Sequence, residues 1–184
     1  MRVLLLHGWG GSDYPHWQSF IASGIAKEYG CVDFVRLPDF DTPQLQEWID
    51  CASSHIKSFQ PDVVLCHSLG NTLWFHMCNN KVFDHNIKKL YLVAPPSNGC
   101  SIEDLREFFP VELPQNLYAD KVELIVSDDD PYMRLDEAKA LQEHFDIPLE
   151  VLHKAGHINT QSGYGKWDEM LQKLRKDKEE LCKI

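Results

Sequence analysis

Six short apolar runs, at residues 3–6, 32–35, 63–66, 90–93, 122–126 and 149–152, punctuate the chain at nearly even intervals. They are rich in Val, Leu and Ile and mostly lack polar alternation, which is the pattern of parallel strands covered on both faces. Between them, apolar residues recur at helical spacing: Trp17, Phe20, Ile21 and Ile25; Leu45, Trp48, Ile49 and Ile56; Leu73, Met77 and Cys78; residues 135–145; and Trp167, Met170, Leu171, Leu174 and Leu181. Strand then helix, repeated, predicts a doubly wound α/β fold with right-handed crossovers around a mainly parallel six-stranded sheet. At 184 residues, 43% of them hydrophobic, the chain suits one domain (1–184) with one large core and leaves little room for a second. One segment breaks the rhythm. Residues 94–120 carry Pro95, Pro96, Gly99, Pro110 and Pro114, with room for one short helix at 102–109, and read as an irregular excursion over the sheet edge. Phe108 and Phe109 are candidates to lean over a pocket there, with local packing the more ordinary outcome.

The formal net charge of -10 removes nucleic acid from the expected partners, because the basic residues of 173–178 are diluted by Asp177, Glu179 and Glu180. The apolar run at 3–6 is too short for a signal-peptide core, and no stretch reaches membrane-spanning length, so a cytoplasmic location is expected. Cys31, Cys51, Cys66, Cys78, Cys100 and Cys182 are scattered and form no C-x-x-C pair, which favours reduced thiols over disulfides and gives no support to a structural zinc.

In a doubly wound sheet, ligands bind where the loops leave the carboxyl ends of the strands. Four polar clusters fall at such ends: His7-Gly8-Trp9-Gly10-Gly11-Ser12, Cys66-His67-Ser68-Leu69-Gly70, Ser127-Asp128-Asp129-Asp130-Pro131 and Ala155-Gly156-His157. The second resembles a G-x-S-x-G elbow, with Cys66 in the first glycine position, and puts Ser68 where a strand turns sharply into a helix. By itself such a near-match reads more readily as an ordinary helix N-cap. What gives it weight is the order Ser68, Asp130, His157, the nucleophile–acid–base order of α/β-hydrolase chains, with each member after a separate strand.

A serine hydroxyl needs a base to take its proton and a third group to orient that base. Among nine histidines, His157 is favoured as base because Gly156 allows a tight turn before it, while His153 is expected to pack or cap and His67 to point away from the elbow. Asp130 is favoured as the acid because Pro131 holds it extended; Asp129 is the substitute, and Asp128 reads as a solvated turn residue. The oxyanion donors expected are the backbone N–H of Leu69 and, from the glycine loop, that of Trp9. The glycine loop does not fit G-x-G-x-x-G, since position 13 is Asp13, so phosphate binding is disfavoured. His153 and His157 are four apart, but Gly156 and the lack of an adjacent Glu disfavour a zinc site; no metal and no cofactor are expected. Trp9, Tyr14, Trp74 and Tyr132 are candidates to edge a small uncapped pocket for an acyl substrate.

With His16-Trp17 and His67-Ser68-Leu69-Gly70-Asn71, these clusters resemble the small serine hydrolases of the α/β-hydrolase superfamily, the group of retinoblastoma-binding protein 9 and the bacterial YdeN-type proteins, over nearly the whole chain. The resemblance implies strand order 2-1-3-4-5-6, no large lid, and Ser68, Asp130 and His157 as nucleophile, acid and base. The departure is Cys66, where many members carry glycine. The function expected is metal-independent hydrolysis of carboxylic esters, with thioesters or amides open to the same chemistry; the alternative is a hydrolase-fold binding module with an idle or weak triad.

Overall fold

The computed structural model describes residues 1–181, so Cys182 and the last two residues lie outside the description. Six strands form one parallel sheet: β1 (Arg2–Leu6), β2 (Cys31–Val35), β3 (Val63–His67), β4 (Ile87–Val93), β5 (Ala119–Ser127) and β6 (Leu149–Leu152), in spatial order β2-β1-β3-β4-β5-β6. Five helices alternate with them: α1 (Trp17–Lys27), α2 (Leu45–Phe59), α3 (Leu69–Asn79), α4 (Leu135–Phe145) and α5 (Asp168–Leu181).

Side chains alternate across each strand, so the sheet divides the core into two layers. Leu4, Leu6, Val64, Cys66, Leu90, Leu92, Leu124 and Val126 pack with Trp48, Leu73, Met77, Ala138 and Leu141 of α2, α3 and α4. Val3, Leu5, Val63, Leu65, Tyr91, Val93 and Ile125 pack with Trp17, Ile21, Ile25, Met170 and Leu174 of α1 and α5. Fully burying each such aliphatic side chain contributes about 1.5–3 kcal/mol against leaving it in water. Strands β4 and β5 begin three residues before their apolar runs. Their polar first halves are paired side by side, Lys88 with Asp120 at 3.1 Å and Lys89 with Glu123 at 3.1 Å, which a search for apolar runs passes over.

Between Val93 and Ala119 the chain has no strand or α-helix, and the helix predicted at 102–109 shrinks to one 3-10 turn, Glu103–Leu105. Phe109 precedes Pro110, and a residue before proline is pushed out of the helical region. The excursion is tied down by side chains instead: the Trp74 indole N–H donates to the Leu117 carbonyl (3.0 Å), His76 Nε2 bonds the Phe108 carbonyl (3.0 Å), and Asn98 exchanges two bonds with Val111. No helix among the described residues is long and apolar enough to cross a membrane. Cys31, Cys51, Cys66, Cys78 and Cys100 are unpaired thiols.

Candidate active site

Ser68 stands between β3 and α3 with φ 50° and ψ −125°, a conformation an L-residue adopts only where its surroundings enforce it. Three bonds do so here: Ser68 N–H donates to the Val93 carbonyl (3.1 Å), and the buried Asn71 amide donates to the carbonyls of Ser68 (2.8 Å) and Val93 (2.9 Å). Glycine is required at two neighbouring places because the backbones come so close. A Cβ on Gly70 would lie 2.8 Å from the Leu6 and His7 carbonyls, and one on Gly8 would lie 2.7 Å from Ser68 Cβ. Cys66 is fully buried in the core layer beneath α3, so the sheet takes a side chain where the resemblance would place glycine.

The Ser68 hydroxyl lies 2.8 Å from His157 Nε2, and His157 Nδ1 lies 3.0 and 2.9 Å from the two Asp130 oxygens. Only a protonated Nδ1 can bond a carboxylate, so Nε2 is left bare to accept from the serine. The pair is enclosed, with side-chain exposures of 7% for His157 and 2% for Asp130. Asp129 faces elsewhere. It accepts from Ser127 Oγ (2.7 Å) and from Gly156 N–H (2.7 Å), while Ser127 Oγ accepts from Ala155 N–H (2.9 Å). Asp128 is the exposed turn residue expected, and it accepts from Lys154 N–H (2.7 Å) and bonds His153 Nδ1 (2.6 Å). Residues 127–130 thus stitch residues 153–157 along their length, and the last stitch carries the imidazole.

The family model for serine hydrolases matches residues 3–176, the entire span from β1 into α5. The chain belongs to the serine hydrolase family. Among solved structures, this serine hydrolase is similar to the ydeN gene product of B. subtilis, with TM-score 0.82 and 20% identity over 95% of this chain and 97% of that one. A protein described as a YdeN-like hydrolase from Pectobacterium atrosepticum matches with TM-score 0.75 and 23% identity, over 94% of this chain and 88% of that one. The type II thioesterase BorB of borrelidin biosynthesis matches at TM-score 0.58 and 20% identity, over 85% and 83%. At these identities the likeness shows a shared compact α/β-hydrolase fold. No match is found among curated proteins.

In the hydrolase the remaining predicted residues scatter. Tyr132 stands edge-on to the His157 ring, centroids 4.6 Å apart, and is half exposed. Trp9 is at the surface, its indole N–H donating to the Asp41 carbonyl (2.9 Å), and its backbone N–H has no acceptor among the described residues. The Gly8 carbonyl accepts from His7 Nδ1 (2.7 Å) and Gly11 N–H (3.2 Å), which fixes the peptide carrying that N–H. Leu69 N–H opens α3 directly after Ser68. Tyr14 is 78% exposed and packs on Phe20 of α1. Trp74 is fully buried against Phe83 and does not edge a pocket. Phe108 is buried against Trp48, whereas Phe109 lines a cavity of about 300 Å³ with Thr72, Phe75, Pro96, Met133 and Leu141.

Two further buried histidines lie beside the site. His67 does not point away: its Nε2 is 3.1 Å from the His157 carbonyl, and burial holds its pKa well below the usual imidazole value. Strand alternation puts His67 on the face of Leu65, the face onto which the 153–158 loop folds. His7 bridges the first two strand ends, with Nε2 accepting from Leu37 N–H (3.0 Å), and burial lowers its pKa as well. Among the described residues no group of three or more His, Cys, Asp or Glu side chains is arranged to hold a metal ion.

Proposed function

We propose that this hydrolase cleaves carboxylic esters through an acyl-enzyme on Ser68. The observation carrying it is the unbroken line from Ser68 Oγ through His157 to the buried Asp130 carboxylate. His157 Nε2 takes the hydroxyl proton as Ser68 Oγ attacks the ester carbonyl, and Asp130 stabilises the resulting imidazolium. The Leu69 and Trp9 N–H groups receive the oxyanion, one aligned by the strained elbow and the other by the pinned Gly8 carbonyl. Collapse of the tetrahedral intermediate expels the alkoxide, which leaves as an alcohol with the His157 proton. Water, deprotonated by the same nitrogen, then releases the acid and restores Ser68. Thioesters fit the same steps.

The acyl chain is assigned to the 300 Å³ cavity, a size within the ordinary range of small-molecule pockets. Its walls grow from the same segments as the site: Thr72 is one turn beyond Ser68, Met133 is three residues past Asp130, and Pro96 follows β4. Its apolar lining suits a medium-length hydrocarbon, whereas the exposed setting of Trp9 and Tyr132 suits the alcohol side of the ester.

Labelling with a fluorophosphonate probe tests the assignment. Labelling is expected in the native protein and is expected to vanish in Ser68→Ala and His157→Ala. Labelling that persists in Ser68→Ala overturns it. Turnover of p-nitrophenyl esters of increasing chain length is expected, unchanged by EDTA; failure on all of them removes the ester assignment.

A further inference from the structure

His16, half of the His16-Trp17 dipeptide, and His67, the residue before the elbow, have no part in the steps above, yet their rings form a series of contacts that ends at His157. Ring centroids are 4.8 Å apart between His16 and His67, and 5.3 Å between His67 and His157. We infer that His16 and His67 form a neutral imidazole relay that positions the general base, tying the backbone of His157 to the N-terminus of α1. The inference rests on His157 acting as that base.

The protonation pattern follows from the two ends. The His157 carbonyl can only accept, so His67 Nε2, 3.1 Å away, carries the hydrogen and His67 Nδ1 carries a lone pair. Gln18 N–H can only donate, so His16 Nδ1, 3.2 Å away, is bare and the His16 hydrogen sits on Nε2. That Nε2–H is buried and has no partner among the described residues. Native proteins rarely leave such a donor unmet. Across the His16–His67 contact, centroids 4.8 Å apart, a hydrogen without an acceptor thus lies beside a ring whose Nδ1 makes no hydrogen bond to the described residues. The inferred relay joins them through one His16 Nε2–H to His67 Nδ1 bond, so that the bonds run one way: Gln18 N–H to His16, His16 to His67, His67 to the His157 carbonyl. Each link polarises the next.

The relay works only while both rings are neutral, because an imidazolium has no lone pair to offer Gln18 N–H or its neighbour. Burial keeps them so, and the nearby His157 and His7 act in the same direction: His16 is lowered to about 4, and His67 lies well below its ordinary value. The consequence is mechanical. When His157 gains the serine proton, Asp130 holds its ring and His67 holds its main chain, so the imidazolium stays over Ser68.

Three substitutions separate positioning from packing. Asn at position 16 is a good N-cap that still accepts from Gln18 N–H but does not reach His67. His67→Phe keeps a ring and loses the bond; His67→Gln keeps an N–H for the His157 carbonyl. The expected result is a fall of about ten- to a hundredfold in Ser68 labelling rate and in kcat for p-nitrophenyl acetate in His67→Phe, and about tenfold in His16→Asn. KM stays within about twofold, the thermal midpoint of His16→Asn is unchanged, and His67→Gln recovers most of the rate. In the native protein, imidazole ¹H–¹⁵N correlation spectra at neutral pH are expected to show both rings protonated at Nε2 and bare at Nδ1. Native labelling rates in both His16→Asn and His67→Phe, or protonation at Nδ1 in either ring, overturns the relay. A native protein that does not label at all defeats the assignment of Ser68 instead, and the spectra still decide the relay.

Discussion

At Ser68 the backbone itself stores free energy, about 1–3 kcal/mol for a non-glycine residue in so sparsely populated a region, and the surrounding bonds from Asn71 and Val93 offset it. Gly8 completes this arrangement from the other side. Gly8→Ala drives a methyl into Ser68 Cβ, and is expected to lower kcat about a hundredfold while leaving the thermal midpoint within a few degrees, as read by ester turnover and calorimetry. The two adjacent carboxylates separate cleanly. Asp130→Asn is expected to cost about 10⁴ in kcat, because an amide no longer enforces the productive His157 tautomer. Asp129→Asn, which loosens the Ser127 and Gly156 bonds but leaves the His157 ring untouched, is expected to cost no more than about tenfold. Equal losses in the two variants would contradict this division of roles. Order along the chain singled out Ser68 and His157 as candidates, and Pro131 favoured Asp130 over Asp129; the register of 127–130 against 153–157, which sets Asp130 on His157 and Asp129 on Gly156, is encoded in no local pattern.

For the elements, α3 explains why an aromatic residue near the serine is not a pocket residue. Trp74 lies six positions after Ser68, and at about 100° per residue that carries it some 240° round the helix, into the layer beneath. Helical phase was readable in advance, but which face of α3 met the cavity was not, since the wall comes from an excursion without regular structure. His67 illustrates the converse. Its face was implied by β3 alternation, yet its role depended on a loop ninety residues away folding over that face. The cavity wall supplies a prediction of its own. Ala140 is exposed on α4 at the cavity rim, so Ala140→Trp is expected to narrow the cavity with little effect on folding. In the ester panel it should reduce kcat/KM for octanoate about tenfold relative to acetate, since each lost methylene contact is worth about 1 kcal/mol or more. An unchanged chain-length preference would place the acyl group elsewhere.

Across the whole molecule, the evenly spaced apolar runs and intervening helical stripes were sufficient for the sheet and its helices, because burial on both faces leaves so strong a mark on composition. Besides His157, three buried histidines at the carboxyl edge add a global property. His7, His16 and His67 are neutral when folded, and burial lowers the pKa of each below the ordinary imidazole value of 6.5. Above pH 6.5 neither folded nor unfolded chain charges them and they contribute nothing to pH dependence. Below it the unfolded chain binds more protons, so stability falls with pH, by about 1.4 kcal/mol per unit for each group, until the folded-state values are reached, about 4 for His16. Urea titrations at pH 6 and pH 5 should show this loss, and His67→Gln should reduce its slope by about one proton. Identical slopes in the two proteins would mean that His67 is charged in the folded state. The stitching of 127–130 onto 153–157 reaches further still. Because acid and base are joined loop to loop, the intervening α4–β6 connection does not set their spacing, and residues added near Asp146 should leave the chemistry undisturbed. Lineages of this scaffold are therefore free to vary that connection in length while keeping the same reaction.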